Sequence, residues 1–250
     1  MQGIKVLVTR PEPENSDTCQ RLSSIGASAI SLPMLQIKPC NSEHEIKKLH
    51  SQLFNLDAYQ YVIFVSKNAA RLGADLIDEC WPMLPVGIQW LGIGKGTTQQ
   101  LNALHIPAIS NPGHTTEMLL NWLKPVKMRE QKVLIVRGKG GRPVLATSLE
   151  ERGAKVDQLE LYERIAPIYD AQTFFFLEQP DVIWSTSGES LDNLTKQVEK
   201  HLPDFKNIAL LTPSERVAEQ ARSHNWKRVI CAQGADDDSF IAATKQHLGR

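Results

Sequence analysis

The sequence predicts an α/β fold of two similar lobes, each a parallel sheet flanked by helices, with extended connectors between them. Two observations carry this. The chain repeats itself: Val6-Leu7-Val8-Thr9-Arg10, Leu22, Gly26-Ala27 and an extended run from Leu32 to Pro39 are echoed by Val133-Leu134-Ile135-Val136-Arg137, Leu149, Gly153-Ala154 and a run from Leu159 to Pro167. A second pair runs alongside, in which Val62-Ile63-Phe64-Val65-Ser66-Lys67-Asn68-Ala69 returns in outline as Val182-Ile183-Trp184-Ser185-Thr186-Ser187-Gly188. Two matching units in each half imply a duplicated domain.

Along the chain, short β-branched apolar runs recur at residues 4–8, 62–65, 89–91, 133–136, 182–184, 208–211 and 229–231. Most are followed by a polar or glycine-rich turn and then a stretch of helical spacing, the pattern of parallel strands with crossover helices. Ser66-Lys67-Asn68 caps a helix over 69–79, Ser187 one over 189–200, and Pro213-Ser214 opens one over 215–223. Gly26 and Gly153 stand where the preceding helices stop, a position that favours a left-handed residue. The segments 32–39 and 159–167 are extended and proline-ended, and read as connectors between lobes. The pattern alone allows either linear halves cut near Pro125 or a chain that leaves the first lobe, builds the second and returns.

Composition narrows the function. In 250 residues, 28 Lys plus Arg balance 28 Asp plus Glu, so no basic surplus exists to follow a nucleic-acid backbone or an anionic membrane. Any anion site must be local. Cys19, Cys40, Cys80 and Cys231 never approach a Cys-x-x-Cys spacing, and His44, His50, His105, His114, His201, His224 and His247 form no His-x-x-x-His pair. Neither a metal centre nor a redox pair is therefore expected. Met1-Gln2-Gly3-Ile4-Lys5 runs directly into a strand, and no apolar stretch has export or membrane-spanning length, which predicts a cytoplasmic protein.

The stretches that suit chemistry sit at strand ends. Gly92-Ile93-Gly94-Lys95-Gly96-Thr97-Thr98 follows the strand at 89–91 and precedes a helix over 99–104. Its glycines admit close backbone approach, and the helix start favours an anion. It lacks the Gly-x-Gly-x-x-Gly spacing of a dinucleotide site and lies away from the first strand. Arg10 and Arg137 end equivalent strands, where a guanidinium either binds a carboxylate or forms a structural ion pair. Gly138-Lys139-Gly140-Gly141-Arg142 adds donors and backbone freedom. Ser66 and Ser185 stand on strand-to-helix turns but lack Gly-x-Ser-x-Gly and a following histidine, so they read as helix caps rather than nucleophiles. Tyr162, in the second connector, offers a neutral proton donor at pH 7.

Taken together, these residues resemble the uroporphyrinogen-III synthase family, enzymes that close linear hydroxymethylbilane into the precursor of haem without a cofactor. The resemblance covers essentially the whole chain. It rests on Val6-Leu7-Val8-Thr9-Arg10-Pro11, Phe64-Val65-Ser66-Lys67-Asn68-Ala69, Gly92-Ile93-Gly94-Lys95-Gly96-Thr97, Arg137-Gly138 with Gly141-Arg142, and Leu161-Tyr162-Glu163-Arg164. It implies a discontinuous lobe of residues 1–37 and 166–250, an inserted lobe of 41–161, and connectors 32–40 and 159–167 running side by side as a two-stranded link, with the active site in the cleft between lobes.

The resemblance also implies Tyr162 as the catalytic residue. For substrate binding it implies Ser66, Thr97, the turn Ser185-Thr186-Ser187-Gly188, and Ser214; Arg10, Asn68, Gly94, Lys95, Arg137 and Gly138 join them from their places at strand ends and helix starts. Leu211-Thr212-Pro213-Ser214-Glu215-Arg216 departs from the family's glycine- and threonine-bearing pattern, which weakens Ser214. A monomeric lyase is implied, with at most a transient contact with the preceding pathway enzyme. The rival from another class is a two-lobed protein that closes on a small anion without chemistry; a second is a nucleotide-dependent transferase.

Overall fold

The computed structural model describes residues 1–111, 113 and 115–249; His114 lies outside them. The chain forms two compact units, residues 1–37 with 165–250, and residues 38–164. The first contains β1 (Lys5–Val8), α1 (Glu14–Ser24), β2 (Ser28–Ser31), α7 (Ala171–Phe175), β9 (Val182–Trp184), α8 (Gly188–His201), β10 (Ala209–Thr212), α9 (Glu215–Ser223), β11 (Arg228–Cys231) and α10 (Asp237–Leu248). Its sheet is parallel, in the order β11-β10-β9-β1-β2. Val6 and Val8 pack with Val182, Trp184 and Phe240, whereas Leu7 packs with Ile183, Leu191 and Leu210. Successive side chains thus enter separate cores on opposite faces, which is why these strands are continuous apolar runs rather than alternating ones.

The second unit contains α2 (Glu43–Leu53), β4 (Tyr61–Phe64), α3 (Lys67–Cys80), β5 (Gln89–Gly92), α4 (Lys95–Ala103), β6 (Ile109–Ser110), α5 (Thr116–Trp122), β7 (Lys132–Gly138), α6 (Val144–Glu150) and β8 (Lys155–Ile165). With β3 (Gln36–Pro39) at its edge, the sheet runs β3-β8-β7-β4-β5-β6. β4, β5, β6, β7 and β8 pair in parallel. Ile63, Leu91, Val133 and Ile135 anchor one face against Leu119, Leu145 and Leu149.

Helix ends follow the residues expected to make them. Ser66 Oγ accepts from Ala69 N and Ser187 Oγ from Ser190 N. Gly26 and Gly153 take φ of +83° and +84° after α1 and α6. Three local expectations need correction. The run 32–39 is not one extended segment: β2 stops at Ser31, and residues 32–35 are held singly, by Met34 N to Thr9 O and by Tyr169 OH to Pro33 O, before β3 begins. The second run is extended through Ile165 as expected, but as the continuation of an 11-residue strand, β8, rather than as a segment of its own. The glycine loop is shorter than expected because α4 already starts at Lys95, with Thr98 Oγ1 bonded back to Gly94 O and Gly92 O.

Candidate active site

Parallel strands place their following turns along one sheet edge, and the expected site residues fall on those turns. In the second unit, Ser66 follows β4, Gly94 follows β5, and Arg137 and Gly138 end β7. Tyr162 is brought level with them because a register shift in the β7–β8 ladder pairs it with Gly138. Its ring rests on that glycine: a Cβ at Gly138 would lie 2.5 Å from Tyr162 Cε2. Lys139 N donates to Tyr162 O over 2.7 Å. The phenol is 3% exposed, and its hydroxyl shares a 2.9 Å hydrogen bond with Ser66 Oγ that either group can donate. Ser66 therefore does two things at once, capping α3 and holding the Tyr162 hydroxyl.

The neighbouring lysine is paired with two carboxylates. Lys139 Nζ bonds Glu45 Oε1 at 2.5 Å and Glu163 Oε1 at 2.7 Å. Lys139 holds the Glu45 carboxyl down at about 2, assisted by the Ser42 hydroxyl and amide of the α2 capping box, and the two carboxylates in turn raise Lys139 above the usual lysine range. This clamp joins α2, the turn after β7 and the residue beside Tyr162.

Arg137 is 7% exposed and directed inward. Its guanidinium donates to Gly138 O, Arg142 O and Gln158 Oε1, and a Cβ at Gly141 would collide with its Nη2. It braces the 138–142 turn. Arg10 is similarly occupied, pairing with Asp237 at 2.8 Å and donating to Ala235 O at 2.9 Å. At the start of α4, Gly94 has φ +81°, its N–H donates to Asn111 Oδ1 at 3.1 Å, and Thr97 is buried in the first turn while Lys95 is exposed. Asn68 is half-buried in the first turn of α3.

In the first unit, the 185–188 turn follows β9 and Ser214 follows β10. The expectation that Ser185 is a helix cap is overturned: it is completely buried, its hydroxyl turned toward Ser187 O at 3.4 Å, and the cap is Ser187, two residues on. Gly188 lies under Gln220, whose Nε2 donates to Gly188 O, and Thr186 is half-buried beside it. Ser214 is the N-cap of α9 but makes no capping hydrogen bond.

A profile described as uroporphyrinogen-III synthase HemD matches residues 16–242. The chain belongs to the uroporphyrinogen-III synthase family. It is 29% identical over 250 residues to the uroporphyrinogen-III synthase of Escherichia coli K12, covering 96% of this chain and 99% of that one. It is 32% identical over 173 residues to that of Proteus mirabilis, covering 68% and 85%. Among solved structures, a mutant uroporphyrinogen III synthase from the extreme thermophile Thermus thermophilus superposes with a TM-score of 0.62 at 14% identity, over 98% of this chain and 100% of the other. The Helicobacter pylori enzyme gives 0.61 at 14%, over 98% and 99%. These structural likenesses establish the shared α/β fold.

Within this family likeness, the chain has features around the candidate site that sequence reasoning passed over. Asn111, Glu45 and the seat that Gly138 provides for Tyr162 all act on partners distant in sequence. The available signals were the glycine following Arg137 and a buried-type polar residue at the end of a short apolar run. Among the described residues no group of three His, Cys, Asp or Glu is placed to hold a metal ion, and no helix is long and apolar enough to cross a membrane. A hollow of about 340 Å³ lined by Gln2, Ile4, Asp181 and Leu248 lies where β1 and β9 begin, at the opposite sheet edge from the turns just described.

Proposed function

We propose that the chain cyclises hydroxymethylbilane to uroporphyrinogen III as a hydro-lyase, with Tyr162 supplying the proton on which the reaction turns. The observation that carries this is the Ser66–Tyr162 hydrogen bond, just past the end of β4 and level with the end of β7, in a chain of this family. The substrate's hydroxymethyl C–O bond breaks as the pyrrole nitrogen lone pair moves in. Tyr162 Oη–H passes its proton to the departing oxygen, so water leaves and an azafulvene remains. The far pyrrole ring attacks it at its substituted carbon to give a spiro intermediate, which fragments and recloses with that ring inverted. The proton released on rearomatisation returns to the Tyr162 oxygen, and the net loss is one water.

Ser66 is suited to prepare the phenol. Its oxygen already accepts from Ala69 N, so donating its own proton to Tyr162 Oη stabilises a developing phenolate and frees the tyrosine proton to leave. A placed proton donor contributes about 10²–10⁴-fold. Because the phenol has 3% exposure, it must be uncovered before it meets the leaving hydroxyl, so proton transfer follows a conformational step.

The substrate's eight carboxylates call for anion sites without a net basic surface. Helix starts supply them, each contributing about 0.3–1 kcal/mol when exposed. In this reading Ser66, Asn68, Gly94, Lys95 and Thr97 in one unit, and Thr186, Ser187, Gly188 and Ser214 in the other, face substrate. Arg10, Arg137, Gly138 and Ser185 shape the turns that carry them. The same reading makes the enzyme a cofactor-free monomer of the cytoplasm. Freshly prepared hydroxymethylbilane provides the test: a product dominated by the inverted type III isomer supports the assignment, and type I alone overturns it.

A further inference from the structure

Helices α3 and α4 break an electrostatic rule that most of this chain observes. The positive end of a helix is stabilised by acidic residues and destabilised by cations. α1, α2, α5, α8, α9 and α10 all carry Asp or Glu in the first turn. α3 and α4 carry none, as do the short α6 and α7, but only α3 and α4 begin with a lysine, Lys67 and Lys95. These two helices pack on each other.

Lys67 is exposed, but its stem is not free of the neighbouring helix. Its side chain is laid across the first turn of α4, so that a Cβ on Gly96 would lie 2.8 Å from Lys67 Cε and 3.7 Å from Nζ. Neither Lys67 nor Lys95 has a hydrogen-bond or ion-pair partner among the described residues, and one turn along α3 the buried Nε of Arg71 also has none. Uncompensated positive charge is thus gathered where two helix ends already add to it.

The floor of this place is polar. Asn111 is 3% exposed; its carboxamide is turned onto the α4 cap, Oδ1 accepting from Gly94 N, and its Nδ2 is buried without a partner. Thr97 is equally buried, and its hydroxyl has no hydrogen-bond partner among the described residues. Gly94 makes no side-chain cap, so the first amides of α4 lack the acceptor that Ser66 gives α3. Leaving the buried Asn111 amide unpaired is costly, and an oxyanion at the helix start would satisfy free donors, dipole and lysine together.

We propose that Lys67, seated across Gly96, is the countercharge for one substrate carboxylate bound at the start of α4. This rests on the functional reading above and adds to it a residue whose role is binding. Gly96 serves by leaving room for the lysine.

Steady-state kinetics on hydroxymethylbilane test it through two variants and their combination. Lys67→Met removes an exposed charge and is expected to raise KM about three- to tenfold with kcat little changed, and to flatten the salt dependence of kcat/KM. Gly96→Ala, at a helical position where alanine is favoured, displaces the lysine end and is expected to raise KM less. In the Lys67→Met background it should add nothing, because the group it displaces is gone. An unchanged KM in Lys67→Met overturns the proposal, as does a Gly96→Ala effect that persists undiminished in that background. Wild-type protein yielding no type III product fails the functional reading itself; wild-type protein yielding it while Lys67→Met matches its KM fails only this inference.

Discussion

Gly138 determines where Tyr162 lies. A methyl group there would stand 2.5 Å from the ring edge and 2.7 Å from Cζ, and a phenol ring packed at 3% exposure has little room to yield. Gly138→Ala is therefore expected to destabilise the fold by about 1–3 kcal/mol through overpacking, and to lower activity by pushing the hydroxyl off Ser66. Thermal unfolding alongside turnover checks this, and wild-type values for both would show that the ring is not seated as described. The chain motif Arg137-Gly138 was legible as chemically interesting, but its reason was not. A guanidinium that braces its own turn and a glycine that admits an aromatic ring both depend on residues 5 to 24 positions away. Ser187 was legible as the cap of α8 from its place before the helical run, whereas the same role for Ser185 was not borne out, because the strand ends just before it and buries it.

α2 shows how a helix without a place in the repeat still serves the site. Its Ser42–Glu45 capping box starts it, and the same Glu45 reaches Lys139 beside Tyr162. The folded Glu45 carboxyl titrates at about 2, below its ordinary 4.5. Its stabilising effect is thus complete above about pH 4.5 and is lost as pH falls through about 2. Glu45→Gln keeps a capping acceptor but loses the ion pair. Its melting temperature should fall below wild type by a constant amount above about pH 5 and converge on it toward pH 2; a gap independent of pH would contradict the ion pair's role. Elements of this kind were the least readable. Buried parallel strands announce themselves as apolar runs because both faces are covered, and β1, β4, β5, β7, β9, β10 and β11 were all legible within a residue or two. The division of residues 28–39 into β2 and β3 was not, since single hydrogen bonds to Thr9 and Tyr169, not a local breaker alone, end the extended run.

Across the chain, the repeated strand–turn–helix units put polar turns at the ends of strands in both sheets, and the proposed function gives those turns a common purpose. With 28 basic and 28 acidic residues, the protein has no general attraction for a polyanion. Binding by helix starts and hydroxyls fits that balance, and restraint of geometry is the main work required, because the open-chain substrate also closes unaided to the uninverted isomer. What the turns cannot supply is the proton. The most direct measurement is the isomer distribution and rate of hydroxymethylbilane closure by Tyr162→Phe beside the wild type, with melting temperatures recorded for both. The account expects wild type to give type III and the variant, still folded, to lose about 100-fold or more in type III formation, leaving type I from unassisted closure. A folded Tyr162→Phe enzyme that makes type III at the wild-type rate would contradict it.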